Sequence, residues 1–153
     1  VDKNDKIIGY KTRKECHSDK SLIHRAVSVV IFNKKGEVAL QKRSQTKDLY
    51  PGYYTVSASG HVDKGESYEE TAKREMFEEI GIKTPLKFVT KLLLYMPHET
   101  EFDAIFTGEF DGSFKINKNE VESLQFYSKN DIKKMKDRFT PSSLNCLTEL
   151  GLL

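Results

Sequence analysis

Residues 60 to 82 read Gly60-His-Val-Asp-Lys-Gly-Glu66-Ser-Tyr-Glu-Glu70-Thr-Ala-Lys-Arg74-Glu75-Met-Phe-Glu78-Glu79-Ile-Gly81-Ile82. Ser67 followed three residues later by Glu70 is a capping-box pattern, so a helix is expected to start near Ser67, and Gly81 is placed to stop it. On such a helix Glu75, Glu78 and Glu79 share one face within reach of a common point. Three like charges there repel one another unless a cation neutralises them, and an all-oxygen, carboxylate-rich donor set suits Mg²⁺ or Mn²⁺. Taken alone, such an acidic cluster is more often a solvated helix face. The surrounding residues argue for a built site. Glu66 and Arg74 are eight residues, about two turns, apart, so Arg74 can reach back and brace the helix start. Ala72, Met76 and Ile80 fall on the opposite, apolar side and are expected to pin the helix to a sheet.

The spacing G-x5-E-x7-R-E-U-x-E-E-x-G-U, with U a bulky aliphatic residue, resembles the Nudix box at every fixed position. A chance match in a chain of this length is about one in ten million given ordinary residue usage. The resemblance implies an α/β fold, the Nudix α/β/α sandwich with a mixed central sheet. It also implies metal binding by Glu75, Glu78, Glu79 and the backbone carbonyl of Gly60, with Mg²⁺ or Mn²⁺ as cofactor. The implied reaction is metal-dependent pyrophosphohydrolysis, cleaving a diphosphate linked to another moiety such as a nucleoside. Glu79 is the expected base, with a carboxylate outside the box as the alternative. Glu66 and Arg74 are expected as structural support.

A chain of 153 residues with 37% hydrophobic content fits one domain spanning residues 1–153. Its 25 basic and 23 acidic residues give a net charge of +2, which supplies no electrostatic footprint for nucleic acid or membrane and suits a small anionic substrate. The longest apolar run, Ala26 to Phe32, is too short to span a bilayer, and the start of the chain lacks a basic-then-apolar signal pattern, so a cytoplasmic protein is expected. Cys16 and Cys146 read as free thiols, Cys146 buried. The basic stretch Lys129 to Arg138 is diluted by Asp131 and Asp137 and lacks interleaved aromatics, which argues for a solvated face rather than a nucleic-acid contact. The sequence leaves the oligomeric state open, a homodimer included.

Strands are expected over Lys6–Thr12, Ala26–Phe32, Glu37–Lys42, Tyr54–Ser59, Phe88–Tyr95, Asp103–Phe110 and Ser123–Tyr127, with a turn at Asn33–Gly36. Two helices close the chain, the second with Thr140 as N-cap, Pro141 as first helical residue, and Leu144, Leu147 and Leu150 at core spacing.

Outside the box, His24-Arg25-Ala26 before a strand, and Leu40-Gln-Lys-Arg43 followed by Lys47 and Tyr50-Pro-Gly52, resemble the Nudix subgroup related to type 1 isopentenyl diphosphate isomerase. That resemblance implies a second metal site at His17, His24, His61, Glu99 and Glu101, and substrate phosphate contacts from Arg43 and Lys47. It departs from the isomerase where the proton chemistry sits. The isomerase cysteine falls at Ser59, and the chain has no tryptophan to stabilise a carbocation. Hydrolysis is therefore expected over isomerisation, and a nucleotide-binding sensor without turnover is the third reading. Tyr50, Tyr53, Tyr54, Tyr95 and Phe102 could each stack on a base or pack in the core, and the non-phosphate half of the substrate stays open.

Overall fold

The strand β1 (Ile23–Phe32) is buried on both faces from Val27 to Ile31, which marks it as the centre of a sheet covered on two sides. In the computed structural model, which describes residues 1–153, it pairs in parallel with β6 (Thr100–Glu109) along its whole length. On its other edge it pairs antiparallel first with β4 (Ala58–His61) and then, at Phe32, with β2 (Val38–Arg43). β3 (Tyr54–Thr55) and β7 (Val121–Tyr127) extend the sheet from β2, and β5 (Lys87–Tyr95) extends it from β6, making a mixed sheet of seven strands.

Alternation along these strands sorts the core into two layers. Val27, Val29, Ile31, Ala104 and Phe106 pack with Ala72, Met76 and Ile80 of α2 (Tyr68–Ile80). Val30, Val38, Leu40 and Ile105 pack with Ile132 of α3 (Lys129–Lys134), and with Cys146 and Leu147 of α4 (Pro141–Glu149). Helices thus cover both faces, giving the expected α/β/α sandwich. No helix is long and apolar enough to cross a membrane.

Two expectations are corrected. Lys6–Thr12 is not a strand, and Ile7, Ile8 and Tyr10 are exposed. The segment pairs with no strand; Asp5, just before it and with a left-handed φ of 63°, bonds Arg25 of β1, Lys91 of β5 and the Tyr68 hydroxyl of α2 and anchors its start there. Thr12 then opens an unexpected helix, α1 (Arg13–Ser18), through a capping box with Glu15. The second correction is the run Tyr54–Ser59, which divides into β3 and β4 because the chain changes neighbours from β2 to β1 between them. Ser57 stitches the split: its hydroxyl accepts from Ile31 N at 2.8 Å and donates to Ala39 O at 2.5 Å.

Candidate active site

The helix α2 forms where its local chemistry requires. Ser67 Oγ accepts from Glu70 N, Glu70 reaches back to Ser67 N, and Gly81 at φ 68° takes the left-handed cap and donates to Phe77 O. Arg74 braces it as expected, with Nε 2.8 Å from Glu66 Oε2 and Nη2 2.8 Å from Glu66 Oε1. The same guanidinium also contacts Glu75 at 2.8 Å and Glu78 at 3.3 Å, so Arg74 neutralises two of the three box carboxylates. Glu79 is held apart from them. It is buried, and its Oε1 accepts from Ser59 N at 2.8 Å and from Gln41 Nε2 at 3.3 Å. Burial pushes its carboxyl up to about 8 against the pull of the Ser59 N–H, so in the metal-free protein it holds a proton at neutral pH.

Gly60 sits directly on Glu75. A Cβ there would lie 2.2 Å from Glu75 Oε1 and 2.8 Å from its Cγ, so any side chain must push the whole carboxylate arm aside. Gly60→Ala is expected to lower kcat/KM about 100-fold, since misplacing a catalytic group by about 1 Å has that effect. The melting temperature should move little because the carboxylate is the yielding partner, and a variant of full activity would remove Glu75 from the site.

The second cluster comes together from four parts of the chain. His17 ends α1, His24 lies on β1 opposite Glu101 of β6, His61 ends β4, and Glu99 precedes β6. Glu99 Oε2 lies 2.5 Å from His17 Nε2, 3.0 Å from His24 Nε2 and 3.6 Å from His61 Nε2, while Glu101 Oε2 lies 3.4 and 3.8 Å from the latter two. One ligand atom each from His17, His24, His61 and Glu99 falls within 4.8 Å of all the others. His17 Nδ1 and His24 Nδ1 are buried without a hydrogen-bond partner, His17 Nε2 meets Glu99 only off the hydrogen-bond direction, and the three rings crowd at centroid distances of 4.7 to 5.4 Å. Burial acts to lower His24, but Glu101 and Glu99 overcome it and raise the imidazole to about 9. In the metal-free protein a proton occupies the place where a cation would satisfy every one of these groups. The residues fit a metal ion.

A cavity of about 160 Å³ opens beside this cluster. Arg43 and Lys47, the expected phosphate contacts, both line it, as do Ser59 and Gly60. Arg43 is half-buried and donates through Nε and Nη2 to Leu49 O, and Lys47 pairs with Glu120. A third cation, Arg13, lines the same cavity and bonds Asp48 at 2.8 Å. Sequence reasoning missed it because α1 was not foreseen, although Thr12-x-x-Glu15 is a capping signature. His98 and Tyr50 also line the cavity, and Tyr50 takes a left-handed φ of 52° and packs against Tyr53 and His98. Of the other aromatics, Tyr95 is exposed, Phe102 is buried, and Tyr54 packs on Tyr127.

A family model described as NUDIX domain matches residues 22–150. The chain belongs to the Nudix family. Among its relatives, several named Nudix hydrolases included, an isopentenyl-diphosphate delta-isomerase 2 of Photorhabdus laumondii is 38% identical over 131 residues, 82% of this chain and 73% of the relative. A prenyl-diphosphate phosphatase of Methanosarcina mazei is 39% identical over 108 residues, 71% of this chain and 62% of the relative. The crystal structure of the Deinococcus radiodurans protein DR0079 superposes with a TM-score of 0.84 at 20% identity, over 97% of this chain and 95% of that one, and shows the shared fold. As a Nudix hydrolase the chain is an enzyme of the class that acts on pyrophosphate bonds, and its subgroup is the one related to the isomerases.

Proposed function

We propose that this Nudix protein hydrolyses a diphosphate linkage in a small-molecule, nucleoside-diphosphate-type substrate with the aid of Mg²⁺ or Mn²⁺. One juxtaposition carries the reading. Ser59 and Gly60 of β4 line the cavity to which Arg13, Arg43 and Lys47 contribute, and the same two residues contact Glu79 and Glu75 of the box helix. Phosphate-binding cations and box carboxylates therefore meet across a single strand.

In this reading Arg13, Arg43 and Lys47 exchange Asp48, Leu49 O and Glu120 for phosphate oxygens, which a bidentate guanidinium suits. Glu75, Glu78, Glu79 and the Gly60 carbonyl would hold the catalytic cation, and His17, His24, His61, Glu99 and Glu101 would hold a second. When bound, a divalent cation neutralises phosphate charge and makes water a better nucleophile. In this reading Glu79, buried and held by Ser59 N, holds or releases the proton.

The isomerase reading has the Photorhabdus relative in its favour. Against it, Ser59 stands in the cavity in place of the proton-transferring cysteine, and both cysteines of this chain are buried outside that cavity. The test is product identification from a panel of nucleoside-diphosphate compounds, prenyl diphosphates and isopentenyl diphosphate, each with Mg²⁺, Mn²⁺ or chelator. Metal-dependent hydrolysis of a diphosphate is expected. Conversion of isopentenyl diphosphate to its allylic isomer instead would overturn the proposal, and binding without turnover would favour the sensor.

A further inference from the structure

The cavity has a second polar group of residues, separate from its cations and from both carboxylate clusters that would hold metal. Asp103 of β6 is 1% exposed, Ser28 of β1 is 2% exposed, and Thr140, at the start of α4, is 5% exposed; all three line the cavity. Ser28 Oγ donates to Asp103 Oδ2 at 2.8 Å, which leaves Asp103 Oδ1 without a partner. Thr140 Oγ1 is also without a partner. Thr140 has the backbone of an N-cap, with φ −63° and ψ 152°, yet its hydroxyl makes no cap hydrogen bond. An N-cap threonine ordinarily spends its oxygen on the second or third helical N–H. The next turn adds the start of the nine-residue helix, with Pro141 and Ser142 lining the same cavity.

Two buried polar atoms left unpaired in one cavity are rare in folded proteins and need partners that the chain itself does not supply. A ligand that fills this cavity either supplies hydrogen bonds to these atoms or seals them off unpaired and loses affinity. An isoprenoid chain has no such groups, and it would leave Asp103 Oδ1 and Thr140 Oγ1 desolvated and unpaired. A further anion is disfavoured by the Glu101 carboxylate, two residues from Asp103 on the same face of β6. Hydroxyl groups meet both requirements, since a hydroxyl either donates to or accepts from a carboxyl and a threonine alike.

We propose that Asp103, Ser28 and Thr140 form a specificity floor that selects a hydroxylated, sugar-like group on the non-phosphate side of the diphosphate and rejects an all-hydrocarbon prenyl chain. The inference rests on the reading of this cavity as the diphosphate site. It deepens that reading by naming the chemical class of the remaining half of the substrate. A site built to hydrogen-bond a hydroxyl discriminates against analogues lacking it far more sharply than an apolar pocket discriminates by size.

The test is calorimetric binding of ADP-ribose, a nucleoside diphosphate hexose and isopentenyl diphosphate, in the presence of Mg²⁺, to the Glu79→Gln protein with the floor intact and with Thr140→Val, Asp103→Asn or Asp103→Leu added. With the floor intact, at least one sugar-bearing diphosphate should bind tenfold or more tightly than isopentenyl diphosphate. Thr140→Val, which keeps the shape of the side chain, and Asp103→Leu should each weaken the sugar compound tenfold or more while leaving isopentenyl diphosphate within threefold or tightening it. Asp103→Asn, which preserves volume, guards against loss of the fold as the cause. Equal or tighter binding of isopentenyl diphosphate to the intact floor overturns the proposal, as does an equal loss for both classes in the variants. Because the readout is binding, a failure of hydrolysis in the wild-type assay is seen separately and does not decide this result.

Discussion

Glu79→Gln is expected to reduce diphosphate hydrolysis at least 1000-fold while preserving the fold. Glutamine fills the same volume and still presents an oxygen to Ser59 N, the 2.8 Å contact that fixes the side chain. It does not carry the negative charge that a hard cation needs, nor does it accept a proton. The same substitution has an opposite effect on the metal-free protein. Burial raises the Glu79 carboxyl from 4.5 to about 8, so this group favours the folded state most below pH 4.5 and that contribution is lost as pH rises toward 8. In chelator, the wild type should therefore lose stability across this window, and Glu79→Gln should flatten the loss. Cation binding requires the carboxylate, so Mg²⁺ affinity of the wild type should rise with pH up to about 8 and level off. Activity within tenfold of wild type would move the catalytic role to another carboxylate.

The second large effect concerns Glu99. Its Oε2 lies within 3.6 Å of a ring nitrogen on each of His17, His24 and His61, and its carboxyl stays well below the usual range because the hydrogen bond with His24 and the nearby His61 and His17 rings overcome its burial. Glu99→Gln removes the central anion and leaves three imidazoles facing a neutral amide. Metal affinity at this cluster is expected to fall at least about 100-fold, the upper end of what loss of a group merely supporting a ligand produces. Elemental analysis of the purified protein after dialysis reads the result directly, and equal metal content in variant and wild type would sink the assignment. With metal removed, the His24 proton should persist until about pH 9, so metal uptake should release protons at neutral pH.

The sequence specified the box helix nearly to the residue. The Ser67 capping box and the Gly81 left-handed cap are interactions between neighbours in the chain, so they are legible without the fold. The apolar period of Ala72, Met76 and Ile80, and the reach of Arg74 to Glu66, are local in the same sense. Family resemblance supplied the histidines and Glu99 and Glu101, which no local pattern would have grouped. Local signals were also missed: Thr12 and Glu15 announced α1, and with it Arg13 in the cavity. The start of β6, Thr100 to Phe102, lies outside the expected strand Asp103–Phe110, and Glu101 within it is polar where it faces the site.

What the sequence by itself determined is therefore the chemistry carried on one helix and the two-layer burial of the strands, because both are set by periodicity and by capping over a few residues. Only the tertiary structure decided which side chains share a volume. The parallel register of β1 with β6 places His24 opposite Glu101 and brings Ser28 within 2.8 Å of Asp103, and the division of the run Tyr54–Ser59 sends β4 to β1, where His61 joins the cluster. The start of α4 then places Thr140 at the same cavity with its hydroxyl unpaired. His24 and Glu101 are 77 positions apart, Ser28 and Asp103 75, and His24 and His61 37, and strand pairing and layer packing, not local propensity, bring such residues together.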